Sequence, residues 1–169
     1  MAGIDNPESV AEHSFRTALL GYILASLEGA DPQKTAMICL FHDMGEARIN
    51  DLHRVAKRYI DVGNREAVAF EEQAQRLPQP LAEHVAAFMH EYERRTSFEG
   101  QLAHDADLLE CVIQPREYQA QSHTSVQDRI TNCYAGLQSN AARSTADACL
   151  SVEPGEWWQR LKSMSSEQK

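Results

Sequence analysis

Phe41-His42-Asp43-Met44-Gly45-Glu46 lies at the end of an apolar run, Ala36–Phe41, that is typical of a buried helix segment. His42 and Asp43 would stand at the C-terminal end of this helix, and Gly45 would end it. Neighbouring side chains on a helix point about 100° apart, but at a helix end two of them can converge on one ion. The stretch therefore predicts a helix end that offers an imidazole and a carboxylate to a metal.

Two further polar residues lie on predicted apolar helix faces. His13 lies on a predicted helix over about residues 8–27, in the middle of the face that carries the apolar side chains Val10, Leu20, Leu24 and Leu27. Asp107 lies among leucines and alanines of a later helix, where an unpaired carboxylate would be costly. Each has a simpler explanation, since His13 suits a hydrogen-bonded core histidine and Asp107 an arginine partner. His42-Asp43 alone could be a polar helix cap.

Together, His13, His42, Asp43 and Asp107 offer two imidazoles and two carboxylates to one site. Divalent first-row metals and magnesium favour such ligands, so we expect one divalent ion, with Mn, Co, Fe, Ni, Zn and Mg all open. Asp105 competes with Asp107 for the last position.

The whole chain has a helical pattern, and no stretch alternates strongly with period two. The sequence therefore predicts an all-α, compact, multi-helix fold. We expect one domain over residues 1–162, with a metal-binding core at about 8–120, C-terminal helices at 125–162 and a flexible tail at 163–169. Predicted helices after the first two cover about 65–76, 81–94, a long segment from 96, then 126–137, 145–150 and the segment from 154.

Composition limits the partners. The chain has 169 residues, a formal net charge of −9 and 43% apolar residues. Such an acidic chain is a poor partner for a nucleic acid polymer, although a bound metal could still attract a small phosphate ester.

Its four cysteines are widely spaced, which favours reduced thiols and a cytoplasmic location. No signal peptide or membrane span is evident. A homodimer is compatible with the sequence, and Trp157-Trp158 suits core packing better than a contact surface.

Four motifs in this order resemble those of the HD-domain phosphohydrolases, most closely the 5′-deoxynucleotidase-like branch. The resemblance covers roughly residues 7–120. The motifs are Pro7-Glu8-Ser9-Val10-Ala11-Glu12-His13-Ser14, Phe41-His42-Asp43-Met44-Gly45-Glu46, Asn50-Asp51-Leu52 and Asp105-Ala106-Asp107-Leu108-Leu109-Glu110.

The resemblance implies an HD domain that holds one divalent metal through His13, His42, Asp43 and Asp107. Asp107 is preferred over Asp105 because the family motif places the ligand before a Leu-Leu-Glu stretch. Glu46 and Asp51 would act beside the attacking water. Glu46 also lies four residues after His42, on the same helical face if the helix persists.

The implied reaction is the hydrolysis of a phosphate monoester, most simply a nucleoside or deoxynucleoside 5′-monophosphate. Lys57, Arg16 and Arg54 are candidate contacts for the phosphate, although each also suits a solvated helix face. His84 and His90 are weaker candidates for a second metal site.

Two other functions stay open. An HD-type phosphodiesterase or nucleoside triphosphohydrolase would use the same metal site, and a non-catalytic sensor would bind a metal or nucleotide without turnover. Nucleotidases of this branch usually carry an arginine and a tryptophan before the Pro-Glu-Ser motif, and these help to bind the nucleotide. The printed chain lacks that segment, so we expect either a longer protein or a different substrate.

Overall fold

The computed structural model describes residues 3–52, 54–61 and 63–167, without the side chains of residue 54 and residues 163–167. These residues form helices and no strand, which confirms the predicted all-α class. The helices are α1 (Val10–Glu28), α2 (Pro32–Phe41), α3 (Glu46–Ile49), α4 (Arg54–Lys57), α5 (Arg65–Ala74), α6 (Gln79–Arg94), α7 (Phe98–Ala120), α8 (Gln127–Gly136), α9 (Asn140–Ser151) and α10 (Glu156–Glu167), with a short 3-10 turn at Thr124–Val126.

The described chain divides into two compact units. Glu8–Asp107 forms one unit, and the segments on either side of it form the other. The single domain over residues 1–162 stays a prediction. The backbone of α10 continues to Glu167, whereas residues 168 and 169 lie outside the described part, so the flexible tail over 163–169 also stays a prediction.

Side-chain caps define the start of the first two helices. The Ser9 hydroxyl accepts a hydrogen bond from the Glu12 N–H at 3.2 Å, and the Glu12 carboxylate accepts one from the Ser9 N–H at 2.9 Å. This capping box begins α1 four residues before His13. Gly29 ends the helix with φ 74°, which glycine adopts without strain. The Asp31 carboxylate then caps α2 by accepting from the N–H groups of residues 33 and 34.

Helices α1 and α2 pack as a hairpin with small side chains at their contact. Gly21 lies so close to Cys39 that a side chain at position 21 would collide with the sulfur. Because α1 turns small residues towards α2, Leu27 is 67% exposed, and its predicted inward position is wrong. The apolar run Ala36–Phe41 predicted a buried helix segment, but Met37 and Leu40 are exposed while Ile38 and Cys39 are buried, so α2 is buried on one side only.

The turn after α2 is anchored on a second apolar cluster. Phe41 and Met44, on either side of His42-Asp43, pack against buried side chains of α5 and α6, namely Phe70, Ala74, Val85 and Met89. Gly45 lies against the backbone carbonyl of Glu66 at the start of α5, where a Cβ would not fit. The position of the His-Asp turn is therefore fixed by core packing from two directions.

The other unit packs α8 and α9 with the second half of α7. Its buried side chains are Leu109, Val112, Ile130, Leu137, Ala142 and Ala146. The Tyr134 hydroxyl donates to Asp147 at 2.7 Å, which joins α8 to α9. Trp157 and Trp158 of α10 are both exposed, so the prediction that this pair packs in the core is wrong.

No helix in the described part of the chain is both long enough and apolar enough to cross a membrane.

Candidate metal centre

The four side chains predicted as metal ligands meet within the Glu8–Asp107 unit, and we call them the His–Asp pocket: His13, His42, Asp43 and Asp107. They come from α1, from the turn that ends α2, and from α7. The helix end at His42 is where the sequence placed it, since α2 ends at Phe41 and His42 is its C-cap.

The ring nitrogens and carboxylate oxygens of the pocket point at one another. The Nε2 atoms of His13 and His42 are 3.3 Å apart. Asp43 Oδ2 lies 3.4 Å from His13 Nε2 and 3.1 Å from His42 Nε2. Asp107 Oδ1 lies 3.3 Å from His13 Nε2 and 3.9 Å from His42 Nε2. His13 Nε2 thus lies within 3.4 Å of one ligand atom from each of the other three residues, and the ligand atoms of His13, His42 and Asp43 all lie within 4.8 Å of one another.

These spacings fit a first-row metal. When metal–ligand bonds are about 2.1 Å long, neighbouring ligand atoms lie roughly 3.0–3.4 Å apart in octahedral or tetrahedral geometry. Most of the pocket distances fall in that range, and the 3.9 Å separation of His42 and Asp107 suits a wider angle. The donor set of two imidazoles and two carboxylates is one that divalent transition metals bind.

The buried His42 ring is held in one orientation. Its Nδ1 lies 2.6 Å from the carbonyl oxygen of Cys39, so Nδ1 carries the proton and donates it. In the neutral ring, Nε2 then offers a lone pair towards the Asp43 and Asp107 carboxylates. A lone pair that faces anionic oxygens is stable only if a cation lies between them, either a proton on Nε2 or a metal ion.

The pKa values indicate the same preference for positive charge. Burial acts to lower the pKa of His42, but the hydrogen bond to Asp43 and the charges of Asp43 and Asp107 outweigh it and raise that pKa. Burial acts to raise the pKa of Asp107, yet contacts with the two histidines and Tyr92 hold it well below its usual value. The pocket therefore keeps its carboxylate ionised and attracts a cation.

Asp107 rather than Asp105 faces the two histidines. Asp105 is also buried, but it precedes Asp107 by two residues, so its side chain points about 200° away around α7. The family motif and the helix geometry therefore agree on Asp107 as the candidate ligand.

Tyr92 is a member of this site that the sequence did not reveal. Its hydroxyl donates to Asp107 Oδ2 at 2.7 Å, and its ring lies 4.8 Å from the ring of His42. Tyr92 is near the end of α6, fifteen residues from Asp107 in sequence, and no spacing pattern connects them. Their contact joins α6 to α7 and depends on how the two helices fold together.

Glu46 begins α3 beside the pocket, in a group that we call the acidic rim: Glu46, Asp51, Lys57 and Glu66. The chain makes a tight turn over residues 42–45 before α3, so the α2 helix ends near Gly45 as predicted and does not persist to Glu46. Burial and the negative charges of Asp43, Asp51 and Glu66 raise the pKa of Glu46 to about 8. Because Asp43 affects this pKa, the Glu46 carboxyl lies within electrostatic range of the pocket.

The predicted phosphate contacts are arranged differently from one another. Lys57 Nζ lies 3.6 Å from the Glu66 carboxylate, and its charge lowers the pKa of Glu46, which places it at the rim. The Arg16 guanidinium donates to Glu8 at 3.1 Å. The side chain of Arg54 lies outside the described part of the structure. Of the three, Lys57 has the clearest connection to the candidate site.

The two histidines considered for a second metal both lie on α6. His90 is exposed and lies 3.5 Å from Glu93. His84 lines an apolar groove of about 490 Å³ between α2 and α6, together with Met37, Phe41, Leu81 and Phe88. Among the described residues, neither histidine belongs to a group of three or more potential metal ligands.

The sequence and fold are similar to those of known proteins. A model of the HD domain matches residues 1–148. Human 5′-deoxynucleotidase HDDC2 is 26% identical over 123 residues, which cover 71% of this chain and 59% of the human protein. The 5′-deoxynucleotidase hdd1 of Schizosaccharomyces pombe is 29% identical over 123 residues, which cover 69% of this chain and 61% of the yeast protein. The chain therefore spans less than two thirds of either relative.

A solved structure has the same fold. A conserved hypothetical protein from Pyrococcus furiosus superimposes with a TM-score of 0.71 at 29% identity, over 89% of this chain and 87% of its own. The HD-domain match and the two 5′-deoxynucleotidases confirm the resemblance that the four motifs predict.

Proposed function

We propose that this protein, which belongs to the HD-domain family, is a metal-dependent phosphohydrolase that converts nucleoside 5′-monophosphates, most simply deoxynucleotides, into nucleoside and phosphate. The observation that carries the proposal is that His42, Asp43 and Asp107 each bring a ligand atom within 3.4 Å of His13 Nε2, with Glu46 in electrostatic range of Asp43. The relatives named as 5′-deoxynucleotidases support the choice of substrate.

The pocket residues would hold one divalent ion. His13 and His42 would bind it through Nε2, and the two aspartates would each bind it through the oxygen that faces the histidines. When bound, such an ion lowers the pKa of water and polarises a phosphoryl oxygen. Since two carboxylates balance a divalent charge, the loaded pocket would be close to neutral.

Glu46 is the candidate to position the attacking water and accept its proton. Its raised pKa, about 8, places its proton exchange close to neutral pH, which suits a general base. Asp51 is exposed two residues after α3 and is near enough to influence Glu46, so it is the candidate to protonate the leaving nucleoside oxygen. Lys57 would bind a phosphate oxygen on the open side of the rim, with Glu66 holding its ammonium group in place.

A phosphate-release screen tests the proposal. The protein is supplied with manganese or cobalt and incubated with deoxynucleoside 5′-monophosphates, 3′-monophosphates, a phosphodiester and deoxynucleoside triphosphates. We expect phosphate from the 5′-monophosphates only, none after chelation, and release about 10²–10⁴-fold slower in Glu46→Gln. Chromatography of the products is recorded alongside, because cleavage of a diester leaves a monoester and cleavage of a triphosphate can leave triphosphate or pyrophosphate. Consumption of the diester or the triphosphates instead of the 5′-monophosphates would replace this proposal by another HD-type reaction. Metal binding without turnover of any substrate would indicate a sensor.

A further inference from the structure

We infer that Tyr92 is a positioning residue for the metal site: its hydroxyl fixes the Asp107 carboxylate so that one oxygen stays directed at the ion. The inference rests on the proposed metal site and goes beyond it, because it concerns a residue that does not touch the ion. It concerns the affinity of the site for metal, whatever substrate the protein hydrolyses.

The Asp107 carboxylate divides its two oxygens between different partners. Oδ2 accepts the hydrogen bond from the Tyr92 hydroxyl at 2.7 Å. Oδ1 faces His13 Nε2 at 3.3 Å and is the oxygen that points into the pocket. A donor on Oδ2 restricts rotation of the carboxylate, so Oδ1 is held in place before the metal arrives. It also favours binding through one oxygen over binding through both.

Tyr92 contacts a second ligand through its ring. The ring centroid lies 4.8 Å from that of His42, with the planes inclined at 54°. The ring therefore packs against an imidazole whose other side is fixed by the Cys39 carbonyl. One side chain on α6 thus restrains two ligands, one from the end of α2 and one from α7.

The arrangement is a familiar one for outer partners of metal ligands. Ligating carboxylates are usually hydrogen-bonded themselves, and removing such a partner typically weakens metal binding about 10- to 100-fold. A neutral phenol can hold the carboxylate without cancelling its charge, whereas a lysine or arginine in the same place would compete with the metal.

The test compares Tyr92→Phe with wild type and with Tyr134→Phe. Tyr92→Phe keeps the ring against His42 and removes only the hydroxyl. Tyr134→Phe is the matched control, since Tyr134 also donates to an aspartate at 2.7 Å, but in the α8–α9 contact. Cobalt affinity is measured by competition with a chromophoric chelator, the cobalt absorption bands are recorded, and circular dichroism confirms that each variant is folded.

We expect Tyr92→Phe to bind cobalt about 10-fold more weakly or worse, with altered absorption bands, and Tyr134→Phe to match wild type. Unchanged affinity and bands in Tyr92→Phe, with tight binding by wild type, would overturn the inference and leave the metal site intact. Equal weakening in both variants would also overturn it, because the effect would then be general destabilisation. No cobalt binding by wild type would overturn the metal site itself.

A purely structural role for Tyr92 predicts a different result. The thermal unfolding temperature of the metal-free Tyr92→Phe protein would fall, while the rise in that temperature on adding cobalt would equal that of wild type. Under the inferred role, the rise itself becomes smaller.

Discussion

The His–Asp pocket and the acidic rim lie side by side, but the fold holds them differently. The side chains of His42 and His13 are 1% and 13% exposed, whereas those of Lys57 and Glu66 are 42% and 39% exposed. The pocket is built from the long helices α1 and α7 and from the anchored end of α2. The rim is built mostly from the short helices α3 and α4 and the loops around them.

This difference separates two tasks of a phosphohydrolase. Ligands must be placed within tenths of an ångström to bind a metal, and core packing provides that accuracy. Substrate contacts must open and close around a molecule that comes and goes, and exposed side chains on short helices allow this. We therefore expect changes in the pocket to abolish metal binding, and changes in the rim to affect turnover or substrate affinity while the metal stays bound.

The largest effect is expected for His42→Ala. Loss of an outer partner already costs about 10- to 100-fold in metal affinity, so loss of a ligand should cost more than about 100-fold and abolish turnover. Metal content after dialysis and phosphate release are the measurements. His90→Ala, which removes an exposed histidine of α6, is the control and should keep its metal content and its rate of phosphate release. A His42→Ala protein that retained a full complement of metal would show that the pocket is not the binding site.

Glu46→Gln should lower turnover by about 10²–10⁴-fold and leave metal content unchanged, because it removes a general base but no ligand. The matched control is Glu72→Gln, an exposed glutamate of α5 that pairs with Arg48. If Glu46→Gln lost metal and activity together, the rim would be part of the pocket, and the distinction drawn above would fail.

Glu46 also predicts a pH dependence of stability in the chelator-treated protein. Its pKa is raised from 4.5 to about 8, so between these values the folded protein holds a proton that the unfolded chain has released. The free energy of unfolding should therefore fall as pH rises through this window and level off above it. Urea unfolding across the window should show the stability of Glu46→Gln increasing relative to wild type. A difference in unfolding free energy between Glu46→Gln and wild type that stayed constant across the window would contradict the raised pKa of Glu46.

A smaller effect is expected for Lys57→Ala. Because this ammonium is half exposed and already paired with Glu66, we expect KM to rise about 3- to 10-fold while kcat changes little, as for a group that binds substrate and transition state alike. Lys34→Ala is the control, since it removes a lysine near the start of α2 that is paired with Glu91. A fall in kcat with unchanged KM would place Lys57 in the chemical step instead.

The features that could be predicted from the sequence are those recorded by local pattern. The apolar run before His42 indicated where α2 ends, and the position of His13 on an apolar helix showed which way its side chain points. Asp107 was identified by its motif, and helix geometry then agreed. In each case the sequence pattern that supported the prediction lay within a few residues of the predicted ligand.

The features that could not be predicted depend on contacts between distant segments. Tyr92 of α6 meets Asp107 of α7, and Leu27 is exposed while Gly21 of the same helix lies against Cys39 of α2. The condition that would put Glu46 on the same helical face as His42 is not met, because the turn at residues 42–45 separates Glu46 from α2, although the charge of Asp43 still acts on Glu46. These positions are determined by tertiary packing, which cannot be inferred from any short stretch of sequence.

Gly45 has a consequence for anyone who recombines this chain with its relatives. A methyl group at position 45 would collide with the carbonyl of Glu66, so the turn and the start of α5 are matched to each other. Grafting the turn alone into another backbone would risk steric mismatch, which typically costs about 1–3 kcal/mol. Exchanging residues 42–66 as one cassette would carry both surfaces together, and the natural unit of exchange in this enzyme candidate is therefore longer than its motif.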